Sequence, residues 1–276
     1  MDKNQLKKSD YSYFEHRCNN GRKLMVFLHG FPDNPYIWLH QWRHFKSNYS
    51  LLAPYAPGTC SDDKYDNRDL GLDRYCEIVY QQIQSLPFDK REEIILVAHD
   101  LGGAVLGELQ RRLPEVKHAI LINTLTFEQF LKRSNRPLQW MKSFYMVLFQ
   151  IPWLNEKNLQ MIYPYLRKLA EKLGRPFDSE ISPMLDYLTL RNLEFYRRLA
   201  REIPAKWSRP TTKVPVRALF IWGEQDPFLL PPVKNEIDFL FETYEYFPLL
   251  NAGHWVFVTD FHKCNARIDK FLGEAI

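Results

Sequence analysis

The feature that most constrains this chain is the apolar run Ile94 to Val97, followed without a gap by Ala98-His99-Asp100-Leu101-Gly102-Gly103 and then by the helical pattern Ala104 to Leu113. A short continuous apolar run reads as a strand buried on both faces, and the pattern behind it as a helix packed on that strand. A strand that turns sharply into a helix folds its backbone onto itself. The residues two places either side of the turn must then be small, a demand that Ala98 and Gly102 meet. The same turn projects one side chain into the open. Here it is the carboxylate of Asp100, which is ionised at neutral pH. Aspartate before glycine is also an ordinary helix N-cap, so the rest of the chain has to decide between the two readings.

Three further strand-like runs end in residues that carry chemistry. Lys23 to Leu28 leads into His29-Gly30-Phe31-Pro32-Asp33, a loop that can aim a backbone N–H at a reacting centre, although on its own it is equally a β-turn built on Gly30 and Pro32. Leu219 to Trp222 leads into Gly223-Glu224-Gln225-Asp226, where Asp226 is preferred over its rival Glu224 from its place in the turn. The approach from Tyr244 leads to Leu249-Leu250-Asn251-Ala252-Gly253-His254, ahead of the helical pattern Phe257 to Leu272. His254 is one of eight histidines, and its position after a strand and a glycine singles it out. The order nucleophile, acid, base is that of an α/β-hydrolase triad.

A carboxylate attacks an electrophilic carbon without a base to activate it. On an ester it only exchanges acyl groups. On an alkyl carbon that bears a leaving group it forms an alkyl-enzyme ester that water can later hydrolyse, so epoxides or alkyl halides are the expected substrates. His254 is expected to deprotonate the hydrolytic water, with Asp226 orienting the imidazole and stabilising its charged form. The backbone N–H groups of Phe31 and Leu101 are expected to form an oxyanion hole worth about 3 kcal/mol per donor.

On the motifs His29-Gly30-Phe31-Pro32, His99-Asp100-Leu101-Gly102-Gly103, Gly223-Glu224-Gln225-Asp226 and Gly253-His254, the chain resembles the α/β-hydrolases of the epoxide hydrolase and haloalkane dehalogenase group. The resemblance spans nearly the whole chain and is closest to the epoxide hydrolases. It implies a mostly parallel central sheet flanked by helices, with strands near residues 11, 23, 50, 94, 117, 216 and 244. Only Tyr11 to Cys18 precedes the strand at 23, so the usual first edge strand is expected to be missing. The core domain is read as residues 1–125 and 213–276, and the helical, aromatic stretch 126–212 as a cap inserted over the site.

An opening epoxide generates an alkoxide that wants a proton donor, and phenols, with pKa about 10, are suitable acids. Within the cap, Tyr145-Met146-Val147-Leu148-Phe149-Gln150-Ile151-Pro152, with Glu156 beyond, resembles the epoxide hydrolase segment in which a tyrosine precedes Phe-Gln-x-Pro. Phe195-Tyr196-Arg197 resembles the segment that supplies a second tyrosine. Tyr145 and Tyr196 are therefore the candidate pair, though most of the fifteen tyrosines are expected to pack. Pro32, Trp38 and Phe149 are expected to line the substrate pocket. Haloalkane dehalogenases commonly carry tryptophan after the nucleophile, and fluoroacetate-type dehalogenases usually arginine; Leu101 offers neither donor. The chain also departs from the group after Ser50 to Pro54. Many members have Asp-x-Arg-Gly-x-Gly there, and this chain reads Tyr55-Ala56-Pro57-Gly58-Thr59-Cys60-Ser61.

Composition excludes more than it assigns. A 276-residue chain that is 45% hydrophobic and 15% aromatic can bury a large core, and the aromatic cap favours a small apolar or aromatic epoxide as substrate, with water. A net charge of +4 spread along the chain argues against nucleic acid as a partner. Cys18, Cys60, Cys76 and Cys264 lack metal-ligand spacing and are too few for a disulfide scaffold. No metal and no cofactor are expected, and reduced thiols point to the cytoplasm. Met1 to Tyr13 lacks the apolar segment of a signal peptide, and no run reaches the ~18 apolar residues of a membrane span.

Overall fold

The structure is a computed structural model and describes residues 6–7, 12–18, 23–60, 70–86, 93–133, 136–142, 190–206 and 213–273, with isolated positions 150, 158, 161, 164–165, 168, 171–172 and 181. Among the described residues, eight strands form one sheet in the order β1-β2-β4-β3-β5-β6-β7-β8. They are β1 (Leu6–Lys7), β2 (Tyr13–His16), β3 (Lys23–Leu28), β4 (Ser50–Pro54), β5 (Glu93–His99), β6 (Val116–Ile122), β7 (Val214–Gly223) and β8 (Phe241–Leu249). The β1–β2 and β2–β4 pairs are antiparallel and the other pairs are parallel. The edge strand expected to be missing is present as β1. It pairs Leu6 with Phe14 and Lys7 with Tyr13, and two residues without an apolar run leave no periodic signal.

Alternation along the central strands divides the core. Leu24, Val26 and Leu28 of β3 and Ile94, Leu96 and Ala98 of β5 face one cluster; Met25 and Phe27, with Ile95 and Val97, face the other. The first cluster is completed by α2 (Leu72–Ser85) and α3 (Gly102–Arg112), the second by α1 (Leu39–Phe45) and a pair of C-terminal helices. Both faces are covered, which explains why β3 and β5 read as continuous apolar runs. Helices α4 (Phe127–Lys132), α5 (Pro137–Lys142) and α6 (Leu190–Lys206) belong to the stretch read as a cap; α7 (Lys234–Asp238), α8 (Val256–Thr259) and α9 (Phe261–Leu272) complete the described helices.

Chain order reverses at β3, whose neighbours are β4 on one side and β5 on the other. Open α/β sheets have a crevice at the carboxyl ends of their strands where the order reverses. The loops after β3 and β5, carrying Phe31 and Asp100, both leave the sheet there.

Candidate active site

Asp100 follows β5 directly and has φ +49°, in the left-handed region. Its backbone is held from the loop after β6, where the Thr124 hydroxyl donates to the Asp100 carbonyl. The small residues are there for close approach. A Cβ on Gly102 would lie 2.1 Å from the Leu28 carbonyl oxygen, and one on Gly30 would lie 2.3 Å from the Asp100 Cβ. The Phe31 N–H donates to Asp100 Oδ1 at 2.9 Å. Leu101 comes next, as the residue that opens α3. The Asp100 side chain keeps 17% exposure, whereas that of His254 keeps 2%, so the carboxylate is the part of the pair that a substrate can reach.

His254 Nδ1 lies 2.7 Å from Asp226 Oδ2, and its Nε2 lies 3.5 Å from Asp100 Oδ2. Asp226 is 3% exposed and fully hydrogen-bonded. Oδ1 accepts the N–H groups of Phe228 at 2.7 Å and Leu229 at 2.9 Å, and Oδ2 accepts Asn123 Nδ2 at 2.7 Å as well as the imidazole. Glu224 is turned elsewhere and accepts the Tyr246 hydroxyl at 2.6 Å. Of the two acids in that turn, it is Asp226 that meets the histidine.

Charge binds the three groups together. Burial opposes ionisation of Asp100, but the hydrogen bond and charge of His254 outweigh it and hold the carboxyl below its ordinary value. Asp226 is lowered against burial in the same way, by His254 and its own hydrogen-bond donors. Burial disfavours the His254 imidazolium, yet the two carboxylates prevail and push its pKa up to about 10.

A profile of the alpha/beta hydrolase family matches residues 25–267. The chain belongs to that family. Among its relatives, the "AB hydrolase superfamily protein YfhM" of Bacillus subtilis (strain 168) is 30% identical over 248 residues, covering 84% of each chain. "Epoxide hydrolase 3" of Mus musculus is 29% identical over 248 residues, 84% of this chain and 66% of the relative, so this chain spans about two thirds of that protein's length. Among solved structures, an epoxide hydrolase from Bacillus megaterium superposes with a TM-score of 0.82 at 23% identity, over 98% of this chain and all of that one. That superposition extends the α/β-hydrolase fold over the whole sheet.

The remaining expected site residues of this α/β-hydrolase fall into three groups. Tyr196 on α6 is 4% exposed and lays its ring 4.5 Å from that of Phe31, over the loop that donates to Asp100. Pro32 follows in the same loop and is half-buried. Tyr145 and Phe149 lie outside the described residues. Trp38 is a correction. It is fully buried in the core, between Phe27 at 5.4 Å and Phe257 at 4.3 Å, and lines no accessible pocket. In a short helical turn after a loop, a tryptophan serves pocket or core equally well, and here packing decides for the core.

Some members of the site escape a reading of its motifs. Asn123, at the end of β6 with φ +41°, donates to both Asp226 Oδ2 and the Gly223 carbonyl and accepts the Gly223 N–H at 2.8 Å. The rule that singled out the other residues, a polar group at the end of an apolar run, applies to it equally. His29 accepts the Ala56 N–H at Nε2 and so donates from Nδ1 to the Gly30 carbonyl at 2.9 Å, joining the Phe31 loop to the divergent loop after β4. That loop closes on itself through Thr59, which donates to the Ala56 carbonyl from both its N–H and its hydroxyl. His99 donates from Nε2 to the His254 carbonyl at 3.1 Å, fixing the backbone of the histidine. Among the described residues, no helix is long and apolar enough to cross a membrane.

Proposed function

We propose that this chain is an epoxide hydrolase that opens its substrate through an ester on Asp100. The observation that carries the proposal is a carboxylate, in place of an alcohol, at the turn after β5. It is held ionised, donated to by the Phe31 N–H and faced by the His254–Asp226 pair. The names of the relatives above support the same reading.

In the first step an Asp100 oxygen attacks an epoxide carbon and the carbon–oxygen bond of the ring breaks. The electron pair passes to the ring oxygen, which takes a proton from a phenol. Tyr196 is the donor next to the Phe31 loop, with Tyr145 as its partner. In the second step His254 takes a proton from water as the hydroxide adds to the ester carbonyl, and the oxyanion formed is held by the N–H groups of Phe31 and Leu101. The adduct collapses, and the departing alkoxide recovers that proton from His254. The second proton of the water returns to the phenolate. Epoxide and water have then become a vicinal diol, whose new oxygen comes from Asp100 while the oxygen of water stays in the carboxylate.

The first test is intact-mass spectrometry of His254→Gln incubated with an aryl epoxide and, separately, with a bromoalkane. The expected result is an adduct equal in mass to the whole epoxide, absent when Asp100 is also changed to Ala. An adduct from the bromide alone assigns a dehalogenase. No adduct from either, on a folded variant, leaves an enzyme of narrow specificity or a non-catalytic binding protein on a hydrolase fold.

A further inference from the structure

Polar residues recur at intervals of three and four along α4, α5 and the turn between them, and they reach one stretch of chain, 226–236. Gln129 Nε2 donates to the Glu236 carbonyl at 3.1 Å. Arg133 donates to Glu236 Oε2 from Nε at 3.0 Å and from Nη2 at 2.8 Å, and from Nη1 to the Leu230 carbonyl. Arg136 reaches Glu236 Oε1 at 3.3 Å. Gln139 donates to the Phe228 carbonyl and accepts the Leu230 N–H, both at 3.0 Å. Lys142 Nζ donates to the Asp226 carbonyl at 2.5 Å.

The ion pair at the centre of this strip is deeply buried, with side-chain exposures of 0% for Arg133 and 6% for Glu236. Burying two charges costs desolvation energy that their attraction only partly offsets, so such a pair is weak grounds for stability. Its geometry points to orientation instead. Asp226 Oδ1 is aimed by the N–H groups of Phe228 and Leu229, and that backbone is what Gln139 and Arg133 hold from either side of residue 229. The other oxygen, Oδ2, is then directed at His254 Nδ1. Phe228 itself sets its ring 5.1 Å from the imidazole, edge to face.

We infer that Arg133 and Gln139 are positioning residues for the second half of the reaction, acting through Asp226 on His254; the inference rests on the function proposed above. Neither residue touches Asp100, so ester formation does not depend on them. Ester hydrolysis does, because it needs His254 oriented to accept a proton.

The test uses Gln139→Leu and Arg133→Met in the full chain, with rapid quenching and intact-mass detection of the Asp100 ester from an aryl epoxide. The expected result is a loss of ester about 10- to 100-fold slower than in the unsubstituted protein, with ester accumulating at steady state. The rate of ester formation stays within about twofold, a split that general loosening of the fold does not produce. Arg133→Met leaves Glu236 buried without its partner; if it fails to fold, Gln139→Leu, which removes only neutral hydrogen bonds, decides alone. Ester lost at the unsubstituted rate from folded Gln139→Leu overturns the inference, as do formation and loss slowing together. His254→Gln separates the two readings. If it carries no adduct on Asp100, the proposed ester chemistry fails and this inference with it; if it does and Gln139→Leu accumulates none, the inference alone fails.

Discussion

His254 sits between two carboxylates, and the order in which they lose their charge governs what it can do. While Asp100 is ionised, the imidazole is held protonated, its pKa raised against burial by Asp226 and Asp100 to about 10. A protonated imidazole accepts no proton, so water at the site is left unactivated before substrate arrives. Esterification removes the Asp100 charge, one of the two supports of the imidazolium. The imidazole pKa then falls, its proton passes to solvent and is regained when Asp100 ionises again, and the side chain becomes a base at the step that needs one. Asp100→Asn imitates the neutral ester closely in shape. In that variant His254 is expected to titrate at lower pH than in the unsubstituted protein, read from the ring nitrogens by ¹⁵N NMR. An unchanged or higher titration point rules out this switch. Asp226→Asn removes the other support, and with it the tautomer that presents Nε2 to the water. Turnover is expected to drop on the order of 10³- to 10⁴-fold, measured as diol formation.

At the scale of elements, the site depends on how closely the turn after β5 approaches β3. The Gly102 position has backbone, not a flexible side chain, 2.1 Å from where a Cβ would be, so nothing nearby can yield by rotating. Gly102→Ala is expected to destabilise the fold by about 1–3 kcal/mol in urea unfolding, because α3 must lift from the sheet. A midpoint unchanged by the substitution contradicts this packing. The same geometry explains what a reader of the sequence can see. Buried parallel strands leave continuous apolar runs, and their ends carry the site, so Asp100, Asp226 and His254 stand out, and Asn123 yields to the same rule. Arg133 and Glu236 do not stand out. Their spacing resembles a solvated helix face, and the partner lies 103 residues away. Whether such a face is wet or buried is settled by tertiary packing alone. Trp38 is the converse case, an aromatic whose place in core or pocket depends on neighbours from α8 and β3.

Over the whole molecule, three histidines buried around one crevice titrate with opposite signs. Burial drives His29 and His99 down to about 4, while His254 is held up at about 10. An unfolded histidine takes up its proton at about pH 6.5. As the pH falls from there, the unfolded chain binds protons at positions 29 and 99 that the native structure refuses until about 4, so stability is lost on the acid side. As the pH rises, the unfolded chain releases a proton at position 254 that the native structure keeps until about 10, so stability is lost on the alkaline side too. The contribution of His254 is complete below about pH 6.5 and those of His29 and His99 above it, which places the expected maximum near pH 6.5. Of these three histidines, two act on the acid limb and one on the alkaline limb, contributing limiting slopes of about 2.7 and about 1.4 kcal/mol per pH unit. His118, lowered by burial, steepens the acid limb further, and Cys264, pushed up by burial to about 12, steepens the alkaline limb above about pH 8.5. Urea unfolding across this range measures both limbs. His254→Gln is expected to flatten the alkaline limb and His99→Gln to make the acid limb shallower. A stability that stays level from about pH 7 to about pH 9 shows instead that His254 is not held charged between Asp100 and Asp226.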